Sequence, residues 1–384
     1  MKFAHLGDCH LGGWRQPELK ELNFKSFQTA IHRCIKEKVD FVLIAGDLFD
    51  SAYPSIETLK DTFQEFRKLK DSKIPVFLIA GSHDYSASGK TFLEVLEKAG
   101  FCKNVYSGEE RNSSIVLEPT IHENIAIYGY PGKKSGLEVD EVERIKILGA
   151  PGMFKILMLH TTIRDAVRGI PVKSVDERYL PQVDYVALGH LHIDYNKNNI
   201  VYCGPLFPNS LSELAELKGG SFYIFDNGKI RKEIIRLKEV VYKHLEVSNA
   251  LTATDNLISL FEKEDVSDKI VIIRLSGILE YGKLSDIDFR KVETLLKKKG
   301  AFVVLKSTSK VHLFEPETKI ELTDSLNMES EIISMFEEKN PGKFSSLIDP
   351  LLKSLQMEKL EEEKSSNFEE RLMSEIIKVI PNAS

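Results

Sequence analysis

Residues 40–50 read DFVLIAGDLFD. An apolar run rich in β-branched and aromatic side chains stops at Gly46, an acid follows at Asp47, and a second acid stands at Asp50. The run suits a buried strand, and the glycine lets the chain turn sharply where it ends. The same design recurs outward from it: residues 2–6 lead into GDCH, 75–80 into GSHD, 155–159 into His160 and 185–188 into GHLH. Between the first three runs lie helix-like stretches, 24–38 and 56–70, the second with Ile56, Leu59, Phe63, Phe66 and Leu69 at helical spacing. Strand, helix, strand is the pattern of an α/β layered fold, and open α/β sheets build their sites at the carboxyl ends of strands.

At 384 residues the chain suits two or three domains. It has no apolar run long enough to span a membrane, and the opening Met1-Lys2-Phe3-Ala4-His5 lacks the apolar core of a signal peptide. Cys9, Cys34, Cys102 and Cys203 lie far apart with no CxxC pair, which argues for reduced thiols and a cytoplasmic protein. The net charge of −6 is unevenly spread: residues 321–384 carry −7, and the body carries +1. A near-neutral body can still bind an anion if metal ions supply the local positive charge.

The pattern changes near Lys238. Residues 240–246, 255–264, 269–275, 287–299 and 302–306 read as a small α/β unit without clustered His or Asp. From about Asp324 the chain turns acidic and helical, with one apolar stripe at Leu347, Ile348, Leu351, Leu352 and Leu355 and another at Phe368, Leu372, Met373, Ile376 and Ile380. The expected division is 1–238, 239–320 and 321–384.

Ser88-Gly89-Lys90-Thr91 looks like the tail of a phosphate-cradling loop. That loop needs a second glycine five positions before Gly89, where Asp84 stands instead. A carboxylate there repels phosphate, so the segment reads as a loop leading into a helix over 91–99.

The other clusters form a set: Asp8 with His10, Asp47 with Asp50, Ser82-His83-Asp84, His160, and His190 with His192. Imidazoles mixed with carboxylates suit Mn²⁺, Fe²⁺ or Zn²⁺. A two-metal site needs a shared carboxylate, and Asp47 at its strand end is the natural bridge. His5, His32, His122, His244 and His312 sit beside no other ligand type at a strand end and read as ordinary core or surface residues.

The order DxH, GDxxD, GNH[DE], H, GHxH is the signature of calcineurin-like metallophosphoesterases, and residues 1–240 resemble such a domain. More narrowly, GDCHLG (7–12), GDLFDSAYPS (46–55) and the trailing α/β cap and helical tail are similar to SbcD-type double-strand-break repair nucleases, the meiotic recombination eleven family. The resemblance implies a layered core of β-sheets flanked by helices, a small α/β DNA-capping domain and a helical partner-binding tail. It implies a DNA-associated homodimer with two divalent ions, Mn²⁺ foremost, and 3′-5′ exonuclease and endonuclease action on DNA ends. The implied partner is an SMC-like coiled-coil ATPase of the SbcC type, bound through the C-terminal helices; helices 24–38 and 56–70 are candidates for the dimer interface. Carried over by position, Asp8, His10, Asp47 and His192 hold the first metal, and Asp47, Ser82, His160 and His190 surround the second. His83 protonates the leaving oxygen or stabilises charge on phosphorus, and Asp50 stands where related phosphatases keep an acid that orients it. The implied chemistry is in-line attack on a phosphodiester by water activated at the metals, without a covalent intermediate.

Two positions depart from the family pattern. Ser82 replaces an Asn, and its hydroxyl falls short of the Asn carbonyl oxygen by about a bond length, roughly 1.3–1.5 Å, where metal bonds tolerate errors of about 0.2 Å. A weakened second site is therefore expected. Gly204-Pro205 replaces an expected Gly-Ser, which puts any contact from residue 205 in doubt. Arg15, Lys103, Lys133 and Lys134 are candidate phosphate contacts near the site loops, and ordinary solvated surface is the equal alternative. Two other functions fit the same residues: a DNA-bridging scaffold for the ATPase with a decayed metal site, and a phosphoesterase for small substrates.

Overall fold

The computed structural model describes residues 1–86, 89–134, 136–167, 169–314, 347–359 and 365–380. The chain divides into two compact units, Met1–Phe314 and Glu315–Ser384.

Two six-stranded sheets form the body of the first unit. One runs in the order Lys229–Ile235 (β15), Gly220–Asp226 (β14), Lys2–Leu6 (β1), Phe41–Ala45 (β2), Val76–Ile79 (β3) and Lys103–Asn104 (β4), with β1 to β4 parallel. The other runs Asp194–Lys197 (β12), Ile200–Cys203 (β13), Tyr185–Gly189 (β11), Phe154–His160 (β10), Ile125–Tyr130 (β8) and Thr120–His122 (β7), parallel from β13 to β8. The sheets share a core in which Phe3, Phe41, Leu43, Phe77 and Ile79 meet Ile127, Ile156, Met158, Tyr185 and Val201. Strands covered on both faces read as unbroken apolar runs, which is why FVLIA at β2 is buried throughout. Each such Leu, Ile or Phe contributes about 1.5–3 kcal/mol of burial.

Helices Pro17–Glu37 (α1) and Ile56–Asp71 (α2) cover the outer face of the first sheet through Phe27, Ile31, Phe66 and Leu69. The outer face of the second carries Glu138–Val142 (α4) and a three-stranded sheet of Gly108–Arg111 (β5), Ser114–Leu117 (β6) and Ile145–Ile147 (β9). The expected α/β layering is thus present. Helix α1 begins seven residues before the expected 24, because Pro17 starts the helix and Leu19 and Leu22 are buried in a separate core. The helix expected over 91–99 is shorter, Leu93–Lys98 (α3).

Residues after Lys238 form an all-parallel three-stranded sheet, Val240–Glu246 (β16), Ile270–Leu279 (β17) and Val303–Leu313 (β18). Parallel neighbours need crossovers, supplied by Ala250–Phe261 (α6) and Phe289–Lys298 (α7). One face packs under these helices; the other, through Ile270, Ile272, Val303 and Leu305, packs on Leu19 and Leu22 of α1 and Leu214 of Leu211–Leu217 (α5). The second unit contains Ile348–Leu355 (α8) and Ser365–Val379 (α9), where Arg371 donates to the Glu358 carbonyl at 3.1 Å. The acidic helix expected from about 324, and the boundary at 320/321, lie outside the described residues.

Candidate metal centre

The registers Leu6↔Ile44, Ala45↔Ile79 and His160↔Gly189 set the carboxyl ends of five parallel strands level. Asp8 follows β1, Asp47 follows β2, Ser82-His83-Asp84 follows β3, His160 closes β10 and His190 follows β11. The turns are tight. Asp8, His10, Asp47 and His190 all adopt positive φ, 49°, 43°, 49° and 93°, a strain that persists only where the surroundings hold it. Gly46 (φ 87°) and Gly81 admit no side chain: a Cβ would lie 2.2 Å from His160 Nδ1 in the first case and 2.2 Å from Asp47 Oδ1 in the second.

Backbone amides fix the carboxylates. His190 N–H donates to Asp8 Oδ1 and His83 N–H to Asp47 Oδ1, both at 2.8 Å. Asp84, fully buried, accepts from Gly81 (2.9 Å), Phe49 (3.0 Å) and Leu48 (3.3 Å), so one carboxylate ties the β2 loop to the β3 loop. Burial, reinforced by the charge of Asp47, raises its pKa to about 6.

The imidazoles are oriented by their Nδ1 atoms. His160 Nδ1 lies 2.9 Å from the Ala45 carbonyl, which only accepts, so Nδ1 carries a proton and Nε2 is the ring atom turned toward the carboxylates. Among the described residues that Nε2 is buried without a hydrogen-bond partner, 3.2 Å from Asp47 Oδ2, and Asp8 Oδ2 likewise has none. His10 Nδ1 lies 3.1 Å from Asp50 Oδ1, and His192 Nδ1 lies 2.9 Å from Glu213 Oε2. With both Nδ1 protons on carboxylates, the two Nε2 lone pairs face each other at 3.0 Å. Acceptors this close repel unless a cation stands among them, and burial makes the mismatch costly. The electrostatics agree: burial opposes a charge on His160, yet Asp47 and Asp8 raise its pKa to about 10, while burial and the neighbouring His160 lower that of His190 to about 4. The donor atoms of Asp8, His10 and His192, and those of Asp8, Asp47 and His160, lie within 4.8 Å of one another. These residues fit two adjacent divalent ions, and the carboxylate–imidazole hydrogen bonds are those that fix a metal-binding tautomer.

The remaining expected residues are placed as follows. Ser82 Oγ lies 3.5 Å from Asp47 Oδ2. The His190 ring centroid stands 5.1 Å from that of His160. His83, 46% exposed, packs edge-on against His10 and has Nδ1 2.9 Å from the backbone carbonyl of Asp50. Asp50 therefore meets His83 through its main chain, while its carboxylate serves His10 and accepts from Asn209 Nδ2 at 2.9 Å. Lys134 lines the cavity that holds Ser82 and His83. Lys133 is paired with Glu141 at 2.6 Å, Lys103 lies in a separate cavity beside Phe101, and Arg15 lies in the groove between α1 and α2. Pro205 engages its surroundings through its carbonyl, which accepts from Ser221 N–H at 3.0 Å. His5, read as ordinary, is fully buried beside Tyr185, and burial lowers its pKa to about 3.

Glu213 and Asn209 were not foreseen. Ser210-x-x-Glu213 reads as a helix-start pattern, and Ser210 does cap α5; nothing in that pattern points to His192.

A family model described as "Calcineurin-like phosphoesterase" matches residues 1–194. The chain belongs to the calcineurin-like phosphoesterases. Within this family it is similar to the "DNA double-strand break repair protein Mre11" of Archaeoglobus fulgidus, 26% identical over 269 residues covering 64% of this chain and 59% of the relative. The protein of the same description from Methanocaldococcus jannaschii is 30% identical over 249 residues, covering 59% of this chain and 62% of the relative. The "Uncharacterized metallophosphoesterase YhaO" of Bacillus subtilis is 27% identical over 291 residues, covering 70% and 68%. The chain thus spans less than two thirds of either archaeal relative's length. Among the described residues, no helix of this phosphoesterase is long and apolar enough to cross a membrane.

The facing lone pairs predict a measurable outcome. Mn²⁺ at about a hundredfold over its Kd should stabilise the fold by about 2.7 kcal/mol, and EDTA should reverse the gain. Thermal melts with and without the ion check this; unchanged midpoints would mean that protons alone satisfy the cluster.

Proposed function

We propose that the chain is a Mn²⁺-dependent nuclease acting on DNA double-strand ends by phosphodiester hydrolysis, with its second metal position weakened by Ser82. The observation that carries the reading is a pair of adjacent ligand clusters, Asp8–His10–His192 and Asp8–Asp47–His160, that share Asp8, with Asp47 Oδ2 3.2 Å from His160 Nε2 and 3.7 Å from His10 Nε2. Asp8, His10, Asp47 and His192 hold one ion in this reading, and Asp47, Ser82, His160 and His190 surround the other. Bound divalent ions supply Lewis-acid polarisation of the phosphoryl group and a nucleophilic water at neutral pH. Asp50 and Glu213 hold the His10 and His192 rings in the tautomer that offers Nε2 inward. His83 donates its Nδ1 proton to the Asp50 carbonyl, which leaves Nε2 at the cavity to exchange a proton with the leaving oxygen.

The archaeal relatives, described as DNA double-strand break repair proteins, support DNA as substrate. The proposal carries with it a cytoplasmic, DNA-associated homodimer, an SMC-like ATPase as the partner of the C-terminal helices, and 3′-5′ exonuclease and endonuclease action with residues 239–320 as the DNA cap. Ser82 favours one second reading, a DNA-bridging scaffold with little turnover, because its hydroxyl is a poor substitute for an amide oxygen.

Cleavage of end-labelled duplex DNA in Mn²⁺ by the natural chain and by Ser82→Asn separates the two. The nuclease reading expects Asn to raise cleavage by about 10–100-fold, the range by which altering a metal site's supporting groups changes activity, and to bring metal content to two ions per chain. Cutting by neither protein, with DNA still bound, would favour the scaffold.

A further inference from the structure

The loop at 51–55 carries a side chain that the fold does not use. Ala52 is buried and anchors the loop from below. Ser51 Oγ accepts the Tyr53 N–H at 3.3 Å, and Ser55 caps α2 by accepting from Thr58 N–H at 3.2 Å. On this pinned backbone Tyr53 is 68% exposed, and among the described residues neither its ring nor its hydroxyl has a hydrogen-bond or ring partner. The ring borders a cavity of about 450 Å³ whose walls include Asp50, Ser82, His83 and Lys134. Lys134 is exposed and, unlike neighbouring Lys133, pairs with no carboxylate among the described residues. An exposed aromatic ring on a hydrogen-bonded loop and an ammonium group without a carboxylate partner among the described residues thus flank the residue expected to protonate the leaving oxygen.

We infer that Tyr53 is a specificity-determining residue: its ring is the platform on which the nucleobase of the leaving-side nucleotide stacks, while Lys134 meets the phosphate beside it. The inference rests on the nuclease reading. A base offers a flat π-face of any sequence, so an aromatic platform next to a cation recognises nucleotides without reading their order. A small phosphate ester has nothing to place on it. The platform therefore separates nucleic acid from simple phosphoesters at a metal centre that by itself treats both alike.

The test measures binding and cutting separately, using the full chain with Mn²⁺. Fluorescence anisotropy gives Kd for a labelled single strand of about six nucleotides, and for the same strand with an abasic nucleotide on the leaving side; cleavage is followed on the intact strand. Tyr53→Ala should raise Kd on the intact strand by about 10-fold or more, whereas Tyr53→Phe should match the natural chain. On the abasic strand Tyr53→Ala and the natural chain should bind equally. Because Tyr53 is solvent-exposed, unchanged melting of Tyr53→Ala serves as the folding control. Equal Kd values on the intact strand, or the same loss on the abasic strand, would overturn the inference. Binding that depends on Tyr53 without any cutting would support it and defeat the nuclease reading instead. No binding by the natural chain would overturn both.

Discussion

Asp47→Ala should lower phosphodiester hydrolysis by at least about 10³-fold, equivalent to about 4 kcal/mol of lost transition-state stabilisation. The reason is its double position. Asp47 Oδ2 stands 3.2 Å from His160 Nε2 and 3.7 Å from His10 Nε2, so one carboxylate reaches a ring of each cluster and, in the proposed reading, bridges the two ions. Burial alone would make it a weaker acid, but the charge of His160 3.2 Å away, with His10 and the His83 amide, holds its pKa below the usual carboxylate range. Removing it leaves the buried imidazoles of His10 and His160 with Asp8 as the one carboxylate common to both clusters. Asp47→Asn is the sharper variant, because the amide keeps the size of the side chain and loses its charge. Turnover on labelled DNA, together with bound metal by elemental analysis, checks the expectation. Full activity with two ions retained would remove Asp47 from the bridging role.

The second large effect is on stability. Asp84→Ala should cost about 3 kcal/mol, because three amides of the β2 and β3 loops lose a buried acceptor and each orphaned donor costs about 1–3 kcal/mol. The loss is offset in part, since burial and the charge of Asp47 already disfavour the ionised carboxylate. The melting point should fall by less than the roughly 2–4 °C per kcal/mol of a chain of about 150–250 residues, because this chain is longer. Asp84→Asn keeps one acceptor oxygen and should lie between. A midpoint for Asp84→Ala within a degree of the natural chain would show that water reaches all three amides.

The legible part of this protein was local. Five apolar runs each ended in ligand-type residues, and because a parallel strand buried on both faces has little freedom in where it ends, those residues came out at one rim. What was not legible depends on distant contacts. The pairing of β14 and β15 beside β1 joins residues more than two hundred positions apart, with no local signal for the neighbour. Glu213 looked like a helix start because it is one; its bond to His192 exists only after the second sheet and α5 are in place. Asp50 stands out by its motif, but the motif does not show that its Oδ1 meets both His10 Nδ1 and the Asn209 amide. For the lysines and Arg15, sequence position says little about which cavity an exposed side chain borders, and Lys134 alone of the four came to the rim of the His83 cavity.

Helix α5 has a mechanical meaning. Glu213 grips His192, the adjacent Ser212 hydroxyl accepts from Arg274 Nη2 of β17 at 3.1 Å, and Leu214 is packed among Ile270 and Ile272. Two turns of helix thus connect the three-stranded sheet to an imidazole that, as a metal ligand, would tolerate misplacement of only about 0.2 Å. A tilt of the sheet would reach that ring through α5, as it would reach α1 through Leu19 and Leu22.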